Sequence, residues 1–74
     1  MAIDGGSAHY KGGTIEPLEL IEAQGINFHL GNVIKYATRA DYYIKAGKYV
    51  EADEALTKAA WYCERQKMLL GVKK

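Results

Sequence analysis

Five polar and aromatic residues in the middle of the chain have the side chains that a nucleotide ligand requires. Asn32, Lys35, Tyr36, Arg39 and Tyr43 recur at helical spacing. At 100° per residue they fall within about 100° of arc on one helix face. Two cations can neutralise phosphate, two tyrosines can stack on bases, and an amide can read a base edge. The alternative is a solvated helix face whose tyrosines lie along the surface.

A second set recurs at helical spacing nearer the C-terminus: Lys58, Trp61, Arg65 and Met68. Lys58 and Arg65 would add two cations to an anion site. Trp61 and Met68 are too apolar to face water together, so we expect them to meet a second subunit or the N-terminal arm. Alternatively, both residues belong to a wide core face of this helix that the N-terminal arm covers.

The N-terminal stretch "HYKGGTIEP" spans residues 9 to 17 and ends on a proline. Adjacent glycines let a backbone approach a ligand closely, and successive N–H groups in a turn can bind an anion. The candidate ligand-binding residues here are His9, Tyr10, Lys11, Gly12 and Gly13. The stretch does not match the Walker A pattern, and a simple turn before the first helix is the other interpretation.

The elements that must position these residues are helices. Residues 1–14 are rich in glycine and lack periodicity, which predicts an irregular arm. Pro17 suits a first helical position, and Gly25, Gly47 and Gly71 suit helix ends. The pattern predicts helices over 17–24, 28–46 and 50–70 within one domain, 1–74.

The predicted architecture is all-α, with short helix 1 packed on an antiparallel hairpin of helices 2 and 3. Apolar residues repeat with the helical period in both long helices. The expected core face of helix 2 is Leu30, Val33, Ile34, Ala37, Ala40 and Ile44; that of helix 3 is Ala52, Ala55, Leu56, Ala59, Cys63 and Leu70.

Length and composition limit the classes of protein that fit. A chain of 74 residues buries too little apolar surface to be securely stable alone, and its single cysteine forms no internal disulfide. His9, His29 and Cys63 lack zinc spacing, so we expect no metal site and favour self-association into a homo-oligomer. A net charge of +1 predicts neither a nucleic-acid polymer nor a membrane as partner. Without a signal peptide or a spanning segment, we expect a cytoplasmic protein.

Three segments together resemble a protein family: "HYKGGTIEPLELIEAQG", "NFHLGNVIKYATRA" and "LTKAAWYCER". Over residues 9 to 65 they are similar to the small bacteriophage proteins known as SaV-like, which are mostly of unknown function. That family is similar to a domain of a coliphage nucleotide kinase that lacks a Walker A loop. The resemblance implies a phage protein acting in an infected bacterium. It also marks shared polar or glycine positions: His9, Tyr10, Gly12, Gly13, Glu16, Asn32, Lys35, Tyr36, Arg39, Lys58, Trp61, Tyr62 and Arg65.

Three functions are compatible with these residues. We favour a protein that binds and sequesters nucleotides, such as the cyclic nucleotide signals of host antiviral defence, with no cofactor. The first alternative is a phosphotransferase related to nucleoside monophosphate kinases, which would need Mg²⁺ and sites for donor and acceptor. The second alternative is a helical protein-interaction module without a ligand. The sequence assigns no catalytic residue.

Overall fold

The protein is described by a computed structural model over residues 15–73, which contains three helices and no strand in that range. Helix α1 spans Pro17–Gln24, α2 spans Phe28–Lys45, and α3 spans Tyr49–Leu70. The predicted all-α fold is confirmed. Helix α2 ends, and α3 begins, one residue earlier than the sequence pattern indicated. The N-terminal arm and its five candidate residues lie outside the described residues.

Local hydrogen bonds define where α1 and α2 begin. The Glu19 carboxylate accepts a hydrogen bond from the Glu16 backbone N–H at 3.3 Å, and Pro17 occupies the first turn. Gly25 ends α1 with a φ of 64°. The Asn27 side chain then accepts from the Leu30 N–H at 2.9 Å and caps α2.

A three-residue turn makes α2 and α3 an antiparallel hairpin. Gly47 has a φ of 75°, a conformation that other residues rarely adopt. The Lys48 N–H donates to the Tyr43 carbonyl at 2.8 Å, which closes the turn. The Lys48 carbonyl accepts a hydrogen bond from the Ala52 N–H at 3.0 Å, which makes Lys48 the N-cap and starts α3 at Tyr49.

The buried part of the contact between α2 and α3 is made of small side chains. The buried apolar residues of the described chain are Ala40 on α2 and Ala52, Ala55 and Ala59 on α3. No large side chain in residues 15–73 is fully buried. Alanines let the two backbones approach closely, but they remove little apolar area from water.

The expected core faces were partly wrong. On α2, Leu30, Ala37 and Ile44 are exposed, whereas Tyr36 and Tyr43 are half-buried beside Ala40. On α3, the exposed members of the expected face are Leu56, Cys63 and Leu70. Helix α2 carries aliphatic residues on one arc and tyrosines on the adjacent arc, so either arc could face α3. The close contact between the alanines of the two helices turns the tyrosine arc toward α3.

Helix α1 packs on the side of α2 opposite α3. A Cβ placed on Gly31 would lie 3.3 Å from Cγ2 of Ile21, so this buried glycine permits the close approach of α1. The molecule measures 43 × 36 × 15 Å. Its smallest dimension is near the width of one helix with side chains, about 10–12 Å. The three helices thus form a single layer. In residues 15–73, none of them has a stretch apolar enough to cross a bilayer.

Candidate functional site

Three cationic side chains surround the ring of Tyr36. The Lys35 Nζ lies 4.7 Å from the ring centroid, the Arg39 Cζ 5.4 Å and the Lys58 Nζ 5.4 Å. Lys35 and Arg39 reach the ring from α2 itself, and Lys58 reaches it from α3. These distances are within the range of cation–π attraction, which holds the cations together at one place on the hairpin.

Tyr62 on α3 connects Tyr36 to a cluster of aromatic rings. Its ring stacks on that of Tyr36, with centroids 6.1 Å apart and planes inclined by 12°. The other rings that contact Tyr62 are Phe28, His29 and Trp61, at centroid distances of 6.1, 6.1 and 5.0 Å. Pairs in this range stabilise a fold by about 0.5–1.5 kcal/mol beyond area burial. The cluster therefore helps to fix the position of Tyr36.

A small cleft opens between α2 and α3 beside Tyr36, and we call it the tyrosine cleft. Its volume is about 90 Å³, which is small for a whole ligand. It is lined by Tyr36, Arg39, Tyr43, Glu51, Glu54, Ala55 and Lys58. Two carboxylates face two cations here, so the cleft can accept hydrogen-bond donors as well as attract an anion.

A larger groove, the outer groove, runs along α2 toward the start of α1. Its volume is about 370 Å³, within the range of small-molecule sites. It is lined by Pro17, Lys35, Thr38, Arg39, Tyr42 and Tyr43. The rings of Tyr42 and Tyr43 meet with centroids 5.8 Å apart. Arg39 and Tyr43 line both spaces, so the tyrosine cleft and the outer groove adjoin each other.

The cations of this site are not neutralised by the described part of the chain. No carboxylate within residues 15–73 forms an ion pair with Lys35, Arg39 or Lys58. Lys45 behaves differently, because its Nζ lies 2.8 Å from Asp41 Oδ2. That hydrogen bond raises the pKa of Lys45. The three cations around Tyr36 thus remain available to an anionic ligand.

Asn32 lies apart from the Tyr36 site. Its Nδ2 donates to the Phe28 carbonyl at 2.9 Å, which occupies one of the donors that a base edge would need. Asn32 instead lines a groove of about 180 Å³ between α1 and α2, together with Ile21, Phe28 and Lys35. Lys35 is therefore the residue that connects this groove to the outer groove.

The structure brings together five of the predicted ligand-binding residues: Lys35, Tyr36, Arg39, Tyr43 and Lys58. Trp61 lies beside these residues, where its ring contacts that of Tyr62 in an edge-to-face arrangement. The Trp61 side chain is 59% exposed. Arg65 is exposed and contacts none of these rings. Met68 is exposed as well.

Sequence reasoning missed six residues that line the two spaces, of which Pro17, Thr38 and Ala55 are joined by one aromatic and two acidic side chains. Tyr42 faces the outer groove, and Glu51 and Glu54 face the tyrosine cleft. The sequence spacing could have predicted that Glu51 and Glu54 lie near Lys58. They lie seven and four residues before Lys58, which places all three on one face of α3. Within residues 15–73, no group of histidine, cysteine or acidic residues is arranged to hold a metal ion.

The fold and the site define a small all-α protein with cations gathered around an aromatic face. The chain belongs to the family described as a protein of unknown function (DUF3310), whose model matches residues 5–64. No curated protein and no solved structure matches the chain significantly.

Proposed function

We propose that this protein binds nucleotides at the face formed by the tyrosine cleft and the outer groove. The observation that carries the proposal is the set of three cations around Tyr36, none of which pairs with a carboxylate in the described residues. Phosphate is a strong acceptor for such groups, and Arg39 can bind it with two parallel hydrogen bonds. A phosphate near Arg39 in the outer groove would share that groove with Lys35, and Lys58 of α3 lines the adjoining cleft.

The aromatic residues favour a nucleotide over a simple anion. Tyr42 and Tyr43 line the same groove as Lys35 and Arg39, so a stacking surface adjoins the cations. Base stacking on an aromatic side chain contributes about 1–3 kcal/mol per base. The carboxylates of Glu51 and Glu54 repel phosphate and can accept hydrogen bonds from base amino groups or ribose hydroxyls. We therefore place the phosphate in the outer groove and the polar edges of the nucleoside toward the tyrosine cleft.

The arrangement supports binding more directly than phosphoryl transfer. A transferase must hold a donor and an acceptor at the same time. Here the cleft and the groove share Arg39 and Tyr43, which makes them parts of one binding surface. Sequestration of a nucleotide, including a cyclic nucleotide signal during phage infection, needs only this surface. Transfer remains the second candidate through the resemblance to a nucleotide kinase domain.

The test is calorimetric titration of the whole protein with separate ligands: nucleoside mono- and triphosphates, cyclic di- and trinucleotides, and inorganic phosphate. Arg39→Ala and Arg65→Ala form a matched pair, because both remove an exposed cation and only Arg39 lines the site. We expect at least one nucleotide to bind more tightly than phosphate, with affinity lost in Arg39→Ala and kept in Arg65→Ala.

Two results would overturn the proposal. Either no nucleotide binds more tightly than phosphate, or both arginine variants lose the same affinity, which would indicate attraction by net charge alone. Incubation of the binding nucleotide with ATP and Mg²⁺, followed by chromatography, decides between binding and transfer. A new phosphorylated product would favour the transferase.

A further inference from the structure

The hairpin has a second face whose chemistry differs from that of the nucleotide site. Six exposed apolar residues make up this apolar face: Leu30, Ala37 and Ile44 on α2, and Leu56, Cys63 and Leu70 on α3. At 100° per residue, each lies about 40° to 100° around its helix from Ala40 or Ala55. Tyr36 and Lys58 lie on the opposite side of the same alanine contact. The layer is thus largely apolar on one surface, with the Asp41–Lys45 ion pair at its margin, and cationic and aromatic on the other.

A single layer of helices cannot shield this face. Stable domains generally pack two or more layers around a core, because a helix must bury its apolar stripe against another element. The described part of the chain is only 15 Å thick, and its buried apolar residues are four alanines. Leu56 is 49% exposed and Leu70 66% exposed, although both project from a well-formed helix. Within residues 15–73, the apolar face therefore has no second layer packed on it.

We infer that a second copy of this chain provides that layer. Two hairpins packed face to face would form a four-helix arrangement related by a two-fold axis, with the same residues contributed by each copy. Helix α2 is about 27 Å long and two packed helices are about 20 Å wide, so the flat area is about 540 Å². That flat area is about two thirds of the roughly 800 Å² of accessible surface that each partner buries in a standard interface, and projecting side chains add to the accessible area.

Residues 1–14 of the same chain are a poorer match for this face. Their large apolar side chains are Met1, Ile3 and Tyr10, and four of the fourteen residues are glycines. Glycine offers no side chain to pack and loses much conformational freedom when it is ordered. A second hairpin presents six complementary apolar positions on helices that are already formed.

This interface is separate from the proposed function. In the dimer, the apolar faces point inward and the Tyr36 site of each copy points outward to solvent. Nucleotide binding can therefore fail while the dimer persists, and the dimer can fail while each site remains intact.

The test compares sedimentation velocity of the full-length wild type with that of Leu56→Glu and Met68→Glu at the same micromolar concentration. Met68 is the matched control, since it is an exposed apolar residue of α3 outside the apolar face. We expect dimers for the wild type and Met68→Glu, and at least a tenfold weaker dimer for Leu56→Glu. Circular dichroism checks that the variants retain helix.

The free thiol of Cys63 provides a second measurement that needs no variant of the interface. We expect its reaction with a thiol reagent in the wild type to be at least tenfold slower above the dimer midpoint than after dilution. If Leu56→Glu fails to fold, this rate decides the proposal. A wild-type monomer, a Leu56→Glu dimer as strong as the wild type, or a Cys63 rate independent of concentration would overturn it.

Discussion

The ring of Tyr62 on α3 stacks on the ring of Tyr36 on α2, with centroids 6.1 Å apart and planes 12° from parallel. This pair joins the two long helices at the centre of the candidate site. Tyr36 is also the ring around which the three cations gather. The same side chain therefore contributes to the stability of the hairpin and to the surface offered to a ligand.

Replacing Tyr62 with alanine should destabilise the hairpin. The change removes contacts with four other rings, and the buried apolar residues within 15–73 are alanines. Because Tyr62 is only half-buried, we expect a loss of about 1.5–3 kcal/mol, below the cost of truncating a fully buried aromatic. Urea unfolding measures it. Tyr62→Phe keeps the ring and should stay within about 0.5 kcal/mol of wild type, and equal losses in the two variants would contradict the stacking role.

Replacing Arg39 with alanine should affect binding far more than folding. Arg39 is exposed and forms no ion pair within residues 15–73, so the free energy of unfolding should change by at most about 0.5 kcal/mol. Loss of a charge-assisted phosphate contact should weaken nucleotide binding by about 1.5–3 kcal/mol. Thermal unfolding tests the expected stability, and calorimetry tests the expected loss of nucleotide affinity. Earlier melting with full affinity would show that Arg39 has a structural role and that the site lies elsewhere.

Replacing Tyr36 should change both the stability of the fold and the affinity for a nucleotide. Tyr36→Ala removes the stack with Tyr62, and we expect it to reduce stability by about 1–2 kcal/mol. If the base or its ribose also packs on this ring, affinity should fall by about 1–3 kcal/mol. Tyr36→Phe retains the stacking surface and should keep both within about 0.5 kcal/mol. Calorimetry below the melting temperature of Tyr36→Ala separates the effects, and unchanged affinity there would remove Tyr36 from the binding surface.

Glu54→Gln should strengthen binding of inorganic phosphate, which has no nucleoside to donate to this carboxylate. The carboxylate of Glu54 lines the tyrosine cleft with Arg39 and Lys58, and it opposes the attraction of those cations for an anion. Removing one charge at a partly exposed position should raise affinity by about two- to fivefold at low salt, with less effect at high salt. Glu64→Gln is the control, since Glu64 pairs with Lys67 outside the site. A nucleotide should gain less than inorganic phosphate does, because its base or ribose can donate to the Glu54 carboxylate. An unchanged phosphate affinity would show that Glu54 does not oppose the anion.

Gly31 should tolerate alanine and reject leucine. A Cβ would lie 3.3 Å from Cγ2 of Ile21, a gap that a small side-chain shift can relieve. Alanine also favours the helix by about 0.8–1 kcal/mol, so Gly31→Ala should unfold within about 1 kcal/mol of wild type. Leucine would overfill the contact between α1 and α2 at a cost of about 1–3 kcal/mol. Equal stability of the two variants in urea would show that α1 does not depend on this contact.

The helices and their boundaries were accessible from the sequence because they depend on local chemistry. Pro17 suits the first turn of α1 because its φ is fixed near the helical value, and Asn27 begins α2 through a hydrogen bond within one turn. Gly25, Gly47 and Gly71 end the helices because glycine adopts positive φ readily. The grouping of Lys35, Tyr36 and Arg39 on one face likewise follows from the helical repeat alone.

The tertiary structure decided which arc of α2 faces α3, since this depends on the fit between two surfaces that are distant in sequence. Periodicity ranked Leu30 and Ile44 as core, yet the close alanine contact turned Tyr36 and Tyr43 toward α3 and left both aliphatic residues exposed. The same packing brought Lys58 and Tyr62 of α3 to Tyr36, and it left Arg65 outside the cluster. A helical repeat specifies relative angles within one helix, but the rotation of each helix about its axis is set by the side chains that meet between helices.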